Sequence, residues 1–392
     1  MRVLINLVAL VGLPGAVATA DEPTRPVAPE PRAKGFLADP NVFPIAVWLQ
    51  SPARAPEYKA VGVNLYVGLW KGPTEDQLAD LKRHGMRVVC SQNAIGLKHR
   101  DDPTIVAWMH GDEPDNAQSL GKGKGYGPPI APAKVVEDYE RLKKADPSRS
   151  VLLNLGQGVA WDKYVGRGTR TNHPEDYPEY LKGCDIASFD IYPAVHDSRD
   201  VAGKLWFVPD GVSRLGKWTG DRKPVWNCIE CTHISNPKAK ATPKQVKAEV
   251  WMSLVRGSRG LIYFVHQFQP KFVEAGLLDD KEMASAVGAI NKQIHELAPV
   301  LNGSTVAEGV RVSSSASEVP VEAMVKRRDG TTYVFAVGMR GGTTTATFTV
   351  AGLTGNANAE VLGESRTIEV RDGVFKDDFA PWDVHLYFMR TH

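Results

Sequence analysis

The feature that most restricts the fold is an alternation. From about Phe36 to Leu301, short apolar runs trade places with segments of helical period, eight times over. The runs are Phe43–Gln50, Val63–Trp70, Arg87–Asn93, Ile105–Glu113, Val151–Leu155, Asp185–Tyr192, Pro224–Glu230 and Leu261–His266. Most are near-continuous in apolar residues, as a parallel strand must be when helices cover one face and a packed interior fills the other. Strands joined by crossover helices make an α/β chain, and eight such units predict a (β/α)8 TIM barrel over residues 36–301. The helices carry their own punctuation. Thr74 with Gln77 forms a capping box, and Gly85 closes the turn after that helix. Thr242-Pro243 opens a helix to about Arg256, and further helices are expected over Ala133–Ala145 and Lys281–Leu297. The connection from Asn93 to Ile105 has room for a single helical turn.

After Leu301 the texture changes to Ser, Gly, Thr and Val in period-two patterns, as in Thr332–Val337 and Thr345–Val350, with turn pairs at Asp329-Gly330 and Asp372-Gly373. That predicts a small antiparallel β-sandwich over residues 302–392. At the other end, Arg2 precedes an apolar stretch from Val3 to Val17 and the small residues Ala18-Thr19-Ala20. This describes a signal peptide, residues 1–20, cleaved after Ala20. Residues 21–35, with Pro23, Pro26, Pro29 and Pro31, read as a Pro-rich linker. The expected location is secreted or periplasmic, with no membrane association once the leader is removed.

Lys and Arg total 47 against 45 Asp and Glu, a formal charge of +2, so no field favours nucleic acid or an anionic membrane as partner. The four cysteines are Cys90, Cys184, Cys228 and Cys231. Cys228-x-x-Cys231 lacks the second ligand pair that a zinc site needs. Buried thiols or one structural disulfide are expected, with no metal and no cofactor.

In a parallel barrel the C-terminal strand ends form the working face. Strand four ends in His110-Gly111-Asp112-Glu113-Pro114, strand six in Asp190-Ile191-Tyr192, and strand seven in Glu230-Cys231-Thr232-His233. Barrel closure brings the ends of strands four and seven to facing walls, so Glu113 and Glu230 are the expected carboxyl pair. Two carboxyls in different surroundings, one holding its proton and one ionised, are what cleavage of a glycosidic bond requires.

These residues resemble glycoside hydrolase clan A, retaining (β/α)8 enzymes with an acid/base Glu after strand four, commonly before Pro, and a nucleophile Glu after strand seven. The resemblance implies a carbohydrate substrate and double displacement on a β-linked glycoside or polysaccharide, with Glu113 as acid/base, Glu230 as nucleophile and Tyr192 bonded to that nucleophile. Asp112 stands where many members have Asn, and His266 and Phe268 stand where a Trp is usual. Asp190, on the same side of its strand as Tyr192, is expected to be a structural interior group. Trp48, Trp70 and Trp161 are candidate stacking platforms for sugar rings. His110, Asp112, Asn154, His233 and His266 are candidate sugar-hydroxyl partners. The glycine-rich Gly121–Gly127 lacks a P-loop ending and is read as a loop carrying Tyr126 beside the cleft. Two rival readings are a non-catalytic carbohydrate-binding barrel and a hydrolase using a metal at His110, Asp112, His233 and His266.

Overall fold

The computed structural model describes residues 35–390. The leader and nearly all of the linker lie outside them. Each of the eight expected runs forms a strand: β1 Ile45–Trp48, β2 Leu65–Val67, β3 Arg87–Ser91, β4 Ile105–Met109, β5 Ser150–Leu155, β6 Ile186–Phe189, β7 Val225–Glu230 and β8 Gly260–Phe264. All neighbours pair in parallel, and β8 returns to β1 to close the barrel. Closure leaves no open edge. The interior is filled by side chains that include Ala46, Trp48, Val67, Ala107, Met109, Leu152, Trp226 and Ile262. Gly260 is needed there, because a Cβ would stand 2.6 Å from the Trp226 indole. The opposite strand faces join a larger core with the surrounding helices.

Six of the eight strands stop short of the C-terminal ends of their apolar runs, and those ends belong to the barrel mouth. In the β4 run the ladder stops at Met109, yet His110 N still bonds Leu152 O at 3.0 Å and Glu113 N bonds Asn154 O at 3.1 Å. The chain therefore leaves β4 while remaining tied to β5, and this carries Glu113 over the opening.

Eight further strands follow: β9 Val310–Ser314, β10 Val321–Arg328, β11 Thr331–Gly338, β12 Thr344–Val350, β13 Asn356–Val361, β14 Arg366–Arg371, β15 Val374–Phe379 and β16 Val384–Arg390. They form one antiparallel sheet in the order β10-β11-β16-β13-β14-β15-β12-β9. One face encloses its own core, with Phe348 stacked on Phe375 at 4.6 Å and Tyr387 edge-on to both. The other face contributes Phe335, Val337 and Leu386 to the barrel's outer core. The expected sandwich is thus built from a single continuous sheet. All four cysteines are buried and free. No helix among the described residues is long and apolar enough to cross a membrane.

Candidate functional site at the barrel mouth

Glu113 adopts a left-handed backbone, φ 43°, which is costly for a residue with a Cβ. The two flanks hold it there. On one side is the bond to Asn154 O. On the other, Asp115 is fully buried and its Oδ1 accepts the Gly156 amide at 2.9 Å, while Tyr177 donates to its Oδ2 at 3.0 Å. Arg167, also buried, donates from Nε to the Asp115 carbonyl at 3.2 Å and pairs with Asp176 at 2.8 Å. The Asp115–Tyr177–Arg167 set is an anchor that sequence reading did not find; a lone Asp or Arg in a loop gives no signal of its partner.

The group facing Glu113 is Asp190. The two lie carboxyl to carboxyl within hydrogen-bonding reach. Burial is the first cause that pushes the Glu113 pKa up, and the adjacent Asp190 charge is the second. Burial also raises Asp190, but the hydrogen bond from Glu113 opposes that rise. Glu113 is therefore the member that keeps the proton and Asp190 the member that ionises. Ile186, Ser188 and Asp190 share one face of β6 by period two, so Asp190 follows the interior row upward to the mouth.

A second chain supports this pair. Ser188 Oγ donates to Asn154 Oδ1 at 2.9 Å, and Asn154 Nδ2 donates to Asp112 Oδ1 at 3.0 Å. Asn154 is buried and thus orients Asp112, whose outer edge is open to solvent. Asp112 is pushed up to about 6, first by desolvation, with the Asn154 donor acting against it. Tyr192 sits beside Asp190 and Cys228, with its ring 5.0 Å from Phe264. Tyr164, another group sequence reading did not single out, feels the charges of Glu113 and Asp190 and contacts Trp161 at 5.9 Å.

Glu230 corrects the expected pairing. It has 0% exposure; its Oε1 accepts the Ala194 amide at 2.6 Å and its Oε2 the Val195 amide at 3.0 Å. Its carboxyl also meets that of Glu249, on the helix Pro243–Val255, and burial raises both pKa values. Two converging backbone donors and a neighbouring acid hold it between the loop after β6 and this helix. A nucleophile needs an accessible oxygen, and Glu230 presents none. Tyr192 accordingly neighbours Asp190 and is not bonded to Glu230.

The other candidates divide. His110 is 9% exposed and bonds the Gly183 carbonyl at 2.7 Å near the helix Pro132–Ala145, so it faces the helix layer and not the cleft. His233 donates from Nδ1 to Ala239 O at 2.8 Å and pins its own loop. Trp48, the last residue of β1, is 4% exposed and packs with the barrel-interior side chains. Trp70 is 70% exposed and Trp161 is half-buried on the rim. His266, 7% exposed, shares a bond of 3.1 Å with Gln50. Gly121–Gly127 forms a small exposed hairpin, bridged from Ser119 to Tyr126, with Tyr126 76% exposed. Among the described residues no His, Cys, Asp and Glu cluster is arranged to hold a metal; the proposed set is broken up by His110 facing outward.

No protein-family model and no curated sequence matches the chain. Solved structures do. The chain is similar to AmyP in complex with maltose, with a TM-score of 0.53 and 8% identity over 89% of this chain and 96% of that one. It is also similar to a noncanonic maltogenic alpha-amylase, AmyB, from Thermotoga neapolitana, with a TM-score of 0.51 and 6% identity over 90% and 99%. A third is a candidate alpha-galactosidase from Bacteroides fragilis, with a TM-score of 0.53 and 10% identity over 90% and 80%. At such identities the likeness is one of fold, and it extends over the barrel and the β unit together.

Proposed function

We propose that the chain is an exported glycoside hydrolase that cleaves its substrate at the barrel mouth, with Glu113 as proton donor and Asp190 as its carboxylate partner. The observation that carries this reading is the Glu113–Asp190 contact, in which burial and mutual charge leave one proton on the pair. Glu113 gives its proton to the glycosidic oxygen as the bond to the anomeric carbon breaks. Ionised Asp190, with Asp112 beside it, stabilises the positive charge that develops on the sugar. Water then adds to the anomeric carbon and returns a proton to the pair. The names of the similar structures, an amylase with maltose, a maltogenic amylase and a candidate galactosidase, support a carbohydrate substrate.

Double displacement through Glu230 is not part of this reading. Retaining pairs stand about 5–5.5 Å apart and inverting pairs about 6.5–9.5 Å. The Glu113–Asp190 pair faces carboxyl to carboxyl and must take one of these separations when the sugar enters between its members. A pocket of about 400 Å³ is lined by Trp161, Asp162, Lys163, Asp200, Lys204 and Arg214, and the Trp161 ring is 5.9 Å from that of Tyr164, which feels the charges of the acid pair.

The test is a panel of α- and β-linked aryl glycosides and polysaccharides, assayed with the wild type and with Glu113→Gln. Hydrolysis of at least one substrate is expected, falling by about 10²–10⁴-fold in the variant while its circular dichroism is unchanged. Undiminished turnover by Glu113→Gln removes the proton donor from the account. Saturable sugar binding by a wild type that cleaves nothing instead supports a non-catalytic carbohydrate-binding barrel.

A further inference from the structure

Beyond β8 the chain builds a row of rings that the acid pair does not use. Phe264 is 5.0 Å from Tyr192 at one end of the row and 6.3 Å from Phe268. His266 stacks on Phe268 at 5.9 Å with an interplanar angle of 10°, and on Phe272 at 6.1 Å and 26°. Phe268 and Phe272 are 5.7 Å apart, and their outer surfaces are 43% and 61% exposed. The row thus runs without a break from the neighbour of Asp190 to solvent.

The backbone holds these rings in place. Gln267 and Val273 exchange amide and carbonyl bonds at 2.9 and 2.8 Å, and the Phe268 amide bonds Ile234 O at 2.7 Å. Both phenyl rings therefore ride on a tied hairpin. The row is also uncharged: burial lowers the His266 pKa, and its Nε2 is already engaged by Gln50. Adjacent phenyl rings that leave large outer surfaces in solvent mark a binding surface more often than isolated ones do. The pocket beside Trp161 differs, because five of its eight lining residues are charged. The aromatic row meets the acid pair through Phe264 and Tyr192.

We infer that Phe268 and Phe272 form the subsite for an uncharged aromatic aglycone, so that the substrate is an aryl glycoside with its sugar over the acid pair. Flat rings favour offset or edge contacts with another aromatic group. This inference rests on the hydrolase reading of the Glu113–Asp190 pair.

The test uses the full chain and two measurements. Calorimetric titration with 2-naphthol is expected to show saturable binding, weakened about tenfold or more in Phe268→Ala/Phe272→Ala and unchanged in Glu113→Gln. Phe272→Ala alone, altering only the more exposed ring, gives a smaller loss in a protein whose melting curve is that of the wild type. On matched aryl and methyl glycosides of one sugar, the double variant is expected to raise KM for the aryl substrate alone, with kcat kept. Absence of saturable naphthol binding, or equal binding by the double variant, overturns the subsite. If naphthol binds as expected while no glycoside is cleaved, the hydrolase reading fails and the aromatic site stands.

Discussion

Glu113 combines two local costs, a left-handed backbone and a carboxyl pressed against another carboxyl. Such strain is of the order of 1–3 kcal/mol and persists only where neighbours enforce it. Glu113→Gly should therefore abolish hydrolysis and yet raise the melting temperature, which thermal denaturation at neutral pH will show. The pH dependence of stability has a definite sign. Glu113, Asp190, Glu230 and Glu249 all have native pKa values above their ordinary ones. Each binds more protons folded than unfolded once pH exceeds the ordinary carboxyl range, so its stabilising contribution is complete below that range and is lost as pH rises through the native value. Glu249→Gln removes one member of the buried pair and should restore about 1–3 kcal/mol at pH 8, with little change at pH 4, in denaturant titrations. At this scale the sequence was legible only in part. Glu113 and Tyr192 fall at the mouth as their strand-end positions imply, but Asp190 looked like an interior structural group. Glu230 looked like a nucleophile because nothing in its neighbourhood names the Ala194 and Val195 amides or Glu249.

Local signals located several elements well. The capping boxes at Thr74 and Thr242 are both formed, each with its reciprocal Gln bond. Thr242→Ala should cost about 1 kcal/mol through loss of the Gln245 amide's partner, read as a shift of the denaturation midpoint. The short connection after Asn93 holds the helix Ala94–Lys98, with the Asn93 side chain accepting the Gly96 amide. The helix expected to end at Leu297 continues to Leu301 with Pro299 inside it, because the burial of Ala298, Val300 and Leu301 favours another turn. One long helix, Phe207–Thr219, gave no clear sequence signal: Pro209, Gly211 and Gly216 lower its intrinsic propensity. Its packing requires the glycine that weakens it, since a Cβ at Gly211 would stand 2.3 Å from the Phe189 ring. Tertiary contact decides this helix, and a single sequence does not display that contact.

At the scale of the molecule, the eightfold alternation and the later period-two segments were enough to specify a barrel followed by an antiparallel unit. They did not specify how the two units meet. The helix Pro243–Val255 turns Glu249 toward Glu230 and Trp251 toward the second sheet, where the indole lies 5.3 Å from Phe335. Arg340 reaches back over the Trp206 ring at 3.8 Å, and Arg256 pairs with Glu322. Trp251→Ala should cost about 3–5 kcal/mol, lowering the melting temperature of the barrel as well as of the β unit. The same helix thus joins the β unit to the wall that holds Glu230 away from the cleft. The central claim is that the working pair is Glu113 with Asp190. It is tested most directly by measuring kcat/KM for Asp190→Asn and Glu230→Gln side by side on the best substrate of the panel, with both variants shown to be folded. The account predicts a loss of about 10²-fold or more for Asp190→Asn and a change within about threefold for Glu230→Gln. The reverse order, with Glu230→Gln inactive and Asp190→Asn near wild type, would contradict it.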